Sequence, residues 1–511
     1  MIKRALISVW DKDGLLELAQ FLNKNGVEII STGGTEKYLK DNDVPVTEIS
    51  KITGMSAVMD GRVKTLNPKI FGGILADRKN NSHLDDLSKI DGKTIDLIVV
   101  NLYPFVDEAV KNNLPMEKAI EYIDIGGPSM LRAAAKNYHS VCVLSDVSDY
   151  TGFMDSFDEK NKDISLDCRK NNAAKVFLRT SSYDSNIFQY FNNSSNDTLS
   201  DSKIIPLIKK EDLRYGENPH QAGAFYTDMN NDLEWVKHQG KSLSYNNYMD
   251  LQSAFEIVNE FDSPSCSIIK HSNPCGFATG SDLLESYLRA VSCDPVSYFG
   301  GIVAFNGKVN AALANELVQP FLECIIAPSF SSEALSILKA KKNLRVITLS
   351  KNYHKNKFEI KSASGGYLIQ ESDSFKKEEF DNFKIVTKKE PDEDILSALN
   401  LGWKIVRYVK SNAIVIANKD QILGVGAGQM SRIDSVKIAI RKIQEFNLSL
   451  DGSVMASDAF FPFADSLELA SSYGIESVIQ PGGSIKDKEI IEVADKLNMS
   501  MIFTSTRHFY H

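Results

Sequence analysis

The sequence is poor in cysteine, and this narrows the classes of protein it can be. Its 511 residues include only six cysteines, and no two of them stand in a C-x-x-C arrangement. A zinc ribbon and a thioredoxin-like motif are therefore excluded. So few cysteines in so long a chain also argue against a disulfide scaffold and favour a reducing compartment.

Long apolar runs and a surplus of basic residues are absent as well. No run reaches the ~18 apolar residues that suggest a membrane span, and the N-terminal MIKRALISVWDKDG turns polar too early for a signal peptide. Lys and Arg total 58 against 67 Asp and Glu, a formal net charge of -9. Nucleic-acid backbones require a basic surface, whereas a small phosphorylated ligand needs only a few local donors. We therefore expect a cytoplasmic enzyme or binding protein with no nucleic-acid and no membrane partner.

A chain of this length exceeds one hydrophobic core, so we expect two or three domains. Near the N-terminus, short runs of Ile, Val and Leu alternate with amphipathic segments. The predicted elements are strands at residues 5–9, 27–30, 97–100 and 141–144, and a helix over residues 14–25 that Gly26 ends. This alternation favours a parallel sheet covered by helices. Such sheets bind their ligands at the carboxyl ends of the strands.

The remainder of the chain is again of the α/β type. The polar stretch 192–202 (NNSSNDTLSDS) predicts a domain boundary, and the lysine- and glutamate-rich residues 351–389 predict a solvated surface excursion. Further strands are predicted at residues 267–269, 302–305, 413–417, 454–456, 477–479 and 501–504. A strand that runs into residues 270–280 and then a helix precede residue 302, and the same series, running into residues 418–429, precedes residue 454. The offset of roughly 150 residues favours a duplicated domain.

Two loops of the N-terminal region suggest a phosphate site. Residues 31–35 (STGGT) follow a strand and open a helix, where glycine N–H groups and the helix dipole favour an anion. Arg62, Lys64 and Thr65 lie in another polar loop and add two cations and a hydroxyl. Each loop also has an ordinary explanation, as a strand-to-helix turn and as a solvated charge pair.

Polar side chains follow two further predicted elements. Asn101 and Tyr103 come directly after the strand 97–100, at the edge of the sheet where ligands bind. Asp124 precedes Gly126 and Gly127 at the start of a helix, and Lys136 lies on that helix. Charged helix faces are usually just solvated, so these residues gain weight only from the loops around them.

Taken together, these segments resemble the inosine monophosphate (IMP) cyclohydrolase half of the bifunctional purine-synthesis enzyme family. The matching stretches are SVWDKDGL, STGGT, DGRVKTLNPKIFGGILADR, NLYPF and IDIGGPSMLRAAAKNY. The second half resembles the family's formyltransferase half through LRYGENPHQ, GKSLSYNNYMDL, IIKHSNPCGFATG, YFGGIVAFN, KSNAIVIAN, GVGAGQMSR, ASDAFFPFADS, PGGS and TSTRHFYH. Where the family often has histidine after KTL, this chain has Asn67, which cannot titrate near neutrality.

The resemblance implies a fold and a division into domains. Residues 1–195 are expected to form the IMP cyclohydrolase domain, a parallel-sheet α/β domain like methylglyoxal synthase. Residues 196–511 are expected to form the formyltransferase region, two tandem cytidine-deaminase-like α/β domains without zinc and with a boundary near residue 385. A homodimer is expected, as are a possible structural monovalent cation near Asp458 and no catalytic metal.

The resemblance also implies two reactions on small molecules. The first transfers a formyl group from the co-substrate 10-formyltetrahydrofolate to the aminoimidazole-carboxamide ribotide (AICAR), giving its formylated product (FAICAR). The second dehydrates and cyclises FAICAR to IMP. Because the amine of AICAR is conjugated with its ring, formylation needs a general base and oxyanion stabilisation. By resemblance, His271 is the base, Lys270 stabilises charge or protonates the leaving nitrogen, and Asn412 orients the formyl oxygen or the carboxamide.

Binding residues carry over from the same motifs. The expected ribotide contacts are Arg214, Tyr215, His220, Arg432, Arg507 and Phe509. The expected folate contacts are Phe460 and Asp465, although core packing is an alternative for the phenylalanines of the FFPF stretch. Cys275 is interpreted as a packing residue, because the reaction requires no acyl-enzyme.

For the cyclohydrolase, the resemblance implies Lys64, Tyr103, Asp124 and Lys136 as catalytic residues. We expect Lys136 to support the attacking amide or its oxyanion, and Asp124 to handle the proton of the leaving hydroxyl. The expected substrate-binding residues are Ser31, Thr32, Gly33, Gly34, Thr35, Arg62, Thr65, Asn101, Gly126 and Gly127.

Three other functions compete with this interpretation. The N-terminal domain could be a methylglyoxal-synthase-like lyase or an effector-sensing module without ring closure. A zinc-dependent deaminase in the second half would need a C-x-x-C pair, which the chain lacks. The chain could also be a non-catalytic nucleotide binder, but such a protein would not need the general base and cation that Lys270 and His271 provide.

Overall fold

The computed structural model describes residues 1–59, 61–192, 199–229, 235–350, 357–374 and 378–511. The chain divides into two compact units, Met1–Leu207 with Asp228–Asn230 (unit 1) and Ile208–Thr227 with Asn231–His511 (unit 2). Most of the predicted boundary segment 192–202, and part of the predicted excursion 351–389, lie outside the described residues. The predicted domain limits at residues 195 and 385 stay predictions.

Unit 1 is built on a five-stranded sheet in which every neighbouring pair is parallel. Its order is β3-β2-β1-β4-β5, with strands β1 (Arg4–Ser8), β2 (Glu28–Ser31), β3 (Thr47–Glu48), β4 (Leu97–Val100) and β5 (Cys142–Leu144). The four predicted strands are confirmed to within two residues. The two-residue strand β3 is too short to leave a periodic signal.

Helices cover this sheet. They are α1 (Leu15–Lys24), α2 (Gly33–Asp41), α3 (Ile49–Thr53), α4 (Pro68–Leu75), α5 (Asn81–Lys89), α6 (Met116–Ala119), α7 (Gly126–Lys136), α8 (Asp149–Ser156) and α9 (Leu166–Asn192), with a π-helical turn Val106–Val110 and a 3-10 turn Ile120–Tyr122. Alternate residues of one strand pack on opposite sides, so Ile7 and Leu6 belong to different apolar clusters. A sheet buried on both faces explains why its strands are continuous apolar runs.

The strands of the second half are β6 (Leu207–Asp212), β7 (Ala224–Asp228), β8 (Trp235–Gln239), β9 (Ser265–Lys270), β10 (Asn273–Thr279), β11 (Ile302–Phe305), β12 (Lys308–Val309), β13 (Cys324–Ala327), β14 (Ser329–Phe330), β15 (Arg345–Leu349), β16 (Phe358–Ala363), β17 (Gly366–Glu371), β18 (Lys384–Ile385), β19 (Ile414–Ala417), β20 (Ile422–Gly426), β21 (Val454–Ser457), β22 (Ser477–Gln480) and β23 (Ser500–Phe503). The helices are α10 (Tyr245–Asn259), α11 (Leu283–Cys293), α12 (Ala311–Leu317), α13 (Ser332–Leu338), α14 (Glu378–Asp381), α15 (Glu393–Val406), α16 (Arg432–Glu445), α17 (Asp465–Ser472) and α18 (Asp487–Lys496).

Unit 2 contains two six-stranded mixed sheets with the same topology. Their orders are β10-β9-β11-β13-β15-β8 and β20-β19-β21-β22-β23-β18. In both, a hairpin leads the sheet, three strands run parallel, and a short antiparallel strand closes the far edge. The internal repeat suggested by the sequence is therefore present as two copies of one topology.

The hairpin strands β10 and β20 correct one expectation. Both lie in segments, 270–280 and 418–429, for which the sequence predicted no strand. Glycine and proline lower strand propensity, and β10 contains Pro274 and Gly276. Here the glycines let a helix approach closely, because a Cβ on Gly276 would lie 2.2 Å from the Ala290 carbonyl oxygen of α11.

The two repeats meet at these hairpins. Ala278 of β10 forms an antiparallel bridge with Gln421, and the Thr279 N–H donates to the Asp420 carbonyl over 2.7 Å. Side chains of α10 and α15, including the fully buried Phe255 and Trp403, share one apolar cluster. The repeats therefore form one body with a junction between them. Among the described residues, no helix has the length and apolar character of a membrane span.

Candidate active sites

The loop after β2 exposes its backbone at two glycines, while the side chains on either side of them form hydrogen bonds within the protein. The Ser31 hydroxyl donates to the Ile7 carbonyl over 2.8 Å, and the Thr35 hydroxyl donates to the Val9 carbonyl over 2.9 Å. Thr32 is buried at the N-cap of α2, and Gly33 follows with φ +55°. Ser31 and Thr35 thus tie the loop to β1. An anion reaching the loop would meet the backbone at Gly33 and Gly34, which are exposed.

The turn after residue 60 brings two predicted side chains to this loop. A Cβ on Gly33 would lie 3.7 Å from Lys64 Nζ, and a Cβ on Gly126 would lie 2.9 Å from Thr65 Oγ1. The turn therefore lies between the starts of α2 and α7. Arg62 pairs with Glu121, but both side chains are more than half exposed, so this pair is weak and can be exchanged for a ligand.

Asp124 is the carboxylate at the start of α7. Its Oδ1 accepts the Gly127 N–H over 2.8 Å. Burial raises the pKa of Asp124, and Lys64 opposes that rise. Burial likewise raises the pKa of Tyr103, with Asp124 adding to the effect. The structure thus brings Asp124 within electrostatic reach of both Lys64 and Tyr103.

Two further predicted site residues are Asn101, which bonds the loop after β1, and Lys136, which lies at the far end of α7. The Asn101 side chain is engaged with the loop after β1, since its Oδ1 accepts the Asp11 N–H over 3.1 Å and its Nδ2 donates to the Asp11 carbonyl over 2.8 Å. Lys136 is exposed at the last residue of α7, about 15 Å along the helix axis from Gly126. The structure does not bring Lys136 beside Lys64 or Asp124 within the chain, so its predicted role depends on the resemblance alone.

In unit 2, Lys270 and His271 stand where β9 turns into β10. His271 and Ser272 both have positive φ, 53° and 57°, as a two-residue type I′ hairpin requires. The Ser272 N–H donates to Asp250 of α10 over 2.6 Å. Lys270 Nζ donates to the Phe299 carbonyl over 2.9 Å, while the His271 side chain is exposed. The turn is thus held by its hydrogen bonds to Asp250 and Phe299, and the His271 imidazole is exposed to solvent.

Asn273 joins this turn to the second repeat. Its Nδ2 donates to the His271 carbonyl, and its Oδ1 accepts the Lys410 N–H, both over 3.0 Å. Asn412, the third predicted catalytic residue, is two residues further along. The structure therefore brings Lys270, His271 and Asn412 to one end of the junction between the repeats.

The Asn412 amide is held by a buried ion pair. Arg432 donates to Asn412 Oδ1 over 2.8 Å and pairs with Asp458, which is 0% exposed. Asn412 Nδ2 donates to the Gln429 carbonyl over 2.9 Å, which leaves its second hydrogen available. Arg432 is only 7% exposed and lies behind Asn412. The structure gives this arginine a supporting contact, and its predicted contact with substrate stays a prediction.

The C-terminal tail lies against the same segment. The Tyr510 N–H donates to the Ser411 hydroxyl over 3.1 Å, and the Arg507 guanidinium lies 4.3 Å from the Phe509 ring centroid. Arg507 and Phe509 are both exposed. Sequence reasoning missed Lys410, although it stands in the matched KSNAIV stretch. Burial lowers the pKa of Lys410, whose ammonium lies 3.6 Å from the Tyr510 ring centroid.

The remaining ribotide candidates lie in the loop between β6 and β7. Arg214 and His220 are exposed, and the Arg214 guanidinium lies 5.2 Å from the Tyr215 ring centroid. Asn246 of α10 donates to the carbonyl of Glu217 in this loop over 3.2 Å. Since the same helix holds Ser272, α10 connects this loop with the Lys270–His271 turn.

The FFPF stretch separates into core and surface. Phe461 is fully buried, whereas Phe460 and Phe463 are 38% and 57% exposed. Asp465 is exposed at the first residue of α17. Cys275 is a poor nucleophile, because burial raises the pKa of its thiol to about 12. Among the described residues, no group of three or more His, Cys, Asp or Glu side chains is arranged to hold a metal ion.

Comparison with known proteins identifies the family. A family model described as the AICARFT/IMPCHase bienzyme matches residues 134–442, and a model of the MGS-like domain matches residues 14–129. The chain belongs to the AICARFT/IMPCHase bienzyme family. "Bifunctional purine biosynthesis protein PurH" of Caldicellulosiruptor saccharolyticus is 48% identical, and proteins of the same name from Clostridium kluyveri and Listeria monocytogenes are 47% and 48% identical, each over 100% of both chains. The solved "Crystal structure of ForH" covers 38% of this chain and 100% of its own at 31% identity, with a TM-score of 0.35.

Family membership confirms the resemblance inferred from the motifs, the fold class and the pair of activities. This bienzyme formylates AICAR and cyclises the product to IMP. Its substrates are small molecules, and its formyl donor is derived from folate. The site residues named above rest on the resemblance and on the geometry described here.

Proposed function

We propose that unit 1 cyclises FAICAR to IMP and that unit 2 formylates AICAR with 10-formyltetrahydrofolate. The observation that supports this division is that each unit builds its own cluster of predicted catalytic side chains. In unit 1 these are Lys64, Tyr103 and Asp124. In unit 2 they are Lys270, His271 and Asn412, joined through Asn273.

Formylation begins when the AICAR amine attacks the formyl carbon of the folate. A new C–N bond forms, and His271 accepts the amine proton. Lys270 stabilises the oxyanion of the tetrahedral adduct. As the adduct collapses, the bond to the folate nitrogen breaks, and the proton passes to that nitrogen to give tetrahydrofolate. The free hydrogen of Asn412 Nδ2 is available to orient the formyl oxygen or the carboxamide.

Ring closure uses the cluster in unit 1. The FAICAR phosphate binds the backbone at Gly33 and Gly34 with Arg62, which fixes the substrate in a bent conformation. The carboxamide nitrogen attacks the formamide carbon, and one of its protons passes to the oxygen to give a hydroxyl. The C–O bond then breaks, the hydroxyl leaves as water with a proton from Asp124, and the former formamide N–H returns a proton to Asp124 as the C=N bond of the ring forms. Asp124, whose pKa is raised by burial, supplies the proton to this hydroxyl. Lys64 lies between phosphate and carboxylate, where it can stabilise an oxyanion.

The folate binds beside the exposed rings of Phe460 and Phe463, with Asp465 accepting from the amino-pyrimidine edge of the pterin. The residues around Asp458 do not fit the predicted monovalent cation, because its carboxylate is already paired with the Arg432 guanidinium and bonded by Ser411. We assign no step to such an ion.

A homodimer and a cytoplasmic location complete the proposal. Helix α9 exposes the neighbouring apolar side chains of Phe177 and Leu178, at 45% and 44%, and a contact between subunits would bury them. Sedimentation velocity tests the dimer, and a monomer at micromolar concentration would contradict it. The reducing compartment inferred from the cysteine content supports the cytoplasm, which fractionation of cells would check.

The first experiment incubates purified protein with AICAR and 10-formyltetrahydrofolate. Tetrahydrofolate release and IMP formation are measured separately, and both are expected. Tetrahydrofolate without IMP would contradict the assignment of unit 1, whereas no product in either assay would contradict both assignments.

A further inference from the structure

Asp124 is held in place by a tyrosine that sequence reasoning did not single out. The Asp124 N–H donates to the Tyr183 hydroxyl over 2.8 Å, and that hydroxyl donates to the Tyr122 carbonyl over 3.0 Å. The phenol oxygen therefore bonds the backbone on both sides of Ile123. No motif links Tyr183 to this loop, because it lies on α9, far along the chain.

The surroundings of Tyr183 show what the hydroxyl adds to the ring. The side chain is 8% exposed, and its ring packs with Phe105 at a centroid distance of 6.5 Å. A phenylalanine would fill the same space in this apolar cluster. The two hydrogen bonds of the hydroxyl, in contrast, both go to the segment that carries Asp124. Removing the hydroxyl should therefore affect mainly the position of that segment.

We propose that Tyr183 is a positioning residue of the cyclohydrolase site and fixes the carboxylate of Asp124 through the backbone. The inference rests on the proposed role of Asp124. With its backbone held by Tyr183 and its Oδ1 bonded to the Gly127 N–H, the carboxyl group is fixed at the start of α7, within electrostatic reach of Lys64. A group that transfers a proton must be held within hydrogen-bond reach of its target.

Tyr183→Phe tests the proposal, because it removes one oxygen and keeps the ring. The loss of a hydrogen-bond bridge of ordinary strength predicts that kcat for cyclisation of FAICAR falls about fivefold to tenfold. KM for FAICAR should change by less than about twofold, because the phosphate is bound at a separate loop. Formylation of AICAR should be unchanged because it belongs to unit 2, and an unchanged KM for FAICAR reports that unit 1 is folded.

Tyr190→Phe is the matched control. Tyr190 lies on the same helix, packs on the same Phe105 at 5.4 Å, and also donates its hydroxyl to a backbone carbonyl, that of Leu114. This variant should cyclise FAICAR like the unsubstituted enzyme. Equal cyclisation by the two variants, or equal losses in both activities of Tyr183→Phe, would overturn the proposal.

Asp124→Asn separates this inference from the function it rests on. Normal cyclisation by Asp124→Asn would overturn the proposed role of Asp124 itself. If Asp124→Asn is inactive while Tyr183→Phe has normal kcat, the role of Asp124 survives and the positioning role of Tyr183 is wrong.

Discussion

The two ends of the junction between the repeats share the same strand pairing but carry different side chains. Ile268 pairs with Gly276 in the first hairpin, and Ile416 pairs with Gly424 in the second. By this register His271 corresponds to Lys419. One end of the junction thus carries the Lys270–His271 turn, and the other carries the turn of Asn418 and Lys419.

The turns themselves differ in conformation. His271 and Ser272 have positive φ, whereas Lys419 and Asp420 do not. Lys419 pairs with Asp394 on the surface. The two repeats provide equivalent positions for a site, and only the first places a cation and an imidazole in the turn that Asn273 joins to the segment of Asn412.

The buried residue beside each turn differs as well. Asn306 and Asp458 each follow the third strand of their sheet. Asn306 is neutral, accepts the Ser265 N–H over 3.0 Å and donates to the Ser263 carbonyl over 2.7 Å. Asp458 instead pairs with Arg432, which holds Asn412. The end with the proposed site therefore contains a buried charge pair, and the equivalent end contains neutral hydrogen bonds.

The largest expected effect comes from the turns. His271→Ala should lower the rate of AICAR formylation about 100-fold to 10,000-fold, the range of general-base catalysis. Lys419→Ala, at the equivalent position of the other turn, should leave it unchanged. Tetrahydrofolate release measures both. Equal effects of the two substitutions would contradict the proposal that only the His271 turn takes part in formylation.

The buried partners give the next largest effect. Arg432→Met leaves Asp458 buried without its partner and should lower the free energy of unfolding by about 3–5 kcal/mol. Asn306→Ala removes neutral hydrogen bonds and should cost about 1–3 kcal/mol. Urea unfolding of both variants measures the difference. A larger loss for Asn306→Ala than for Arg432→Met would contradict the contrast drawn here.

The smallest expected effect comes from a feature that both hairpins share, a glycine against which a helix packs closely. A Cβ on Gly276 would lie 2.2 Å from the Ala290 carbonyl oxygen, and a Cβ on Gly424 would lie 2.5 Å from that of Ala439. Gly276→Ala and Gly424→Ala should each lower the free energy of unfolding by about 1–3 kcal/mol, with Gly276→Ala the more severe. Thermal unfolding checks the pair. If either alanine variant were more stable than the unsubstituted protein, the helix would not lie as close to the glycine as described.

Much of the fold could be predicted because its signals are local. Continuous apolar runs located β1, β4, β11 and their neighbours, and the repeated strand, loop and helix indicated the duplication. The hairpin strands β10 and β20 were missed, since a glycine that admits a helix closely looks in sequence like a loop residue. Lys270 and His271 could be placed after a strand for the same local reason.

The side-chain partners could not be predicted. Arg432 was expected to contact substrate, yet its position behind Asn412 depends on Asp458, which lies on a different strand end. Substrate binding by Asn101 stays a prediction, and its contact with the loop after β1 was not predicted. Tyr183 reaches Asp124 only after α9 has packed on the sheet. Such contacts depend on tertiary packing, which no local pattern records.

The central claim is that the two activities belong to separate units, and two variants test it most directly. With FAICAR supplied, His271→Ala should form IMP at the rate of the unsubstituted enzyme while releasing almost no tetrahydrofolate from AICAR and 10-formyltetrahydrofolate. Asp124→Asn should release tetrahydrofolate normally and accumulate FAICAR. Loss of both activities in either soluble, folded variant, or normal IMP formation from AICAR by either one, would contradict the claim.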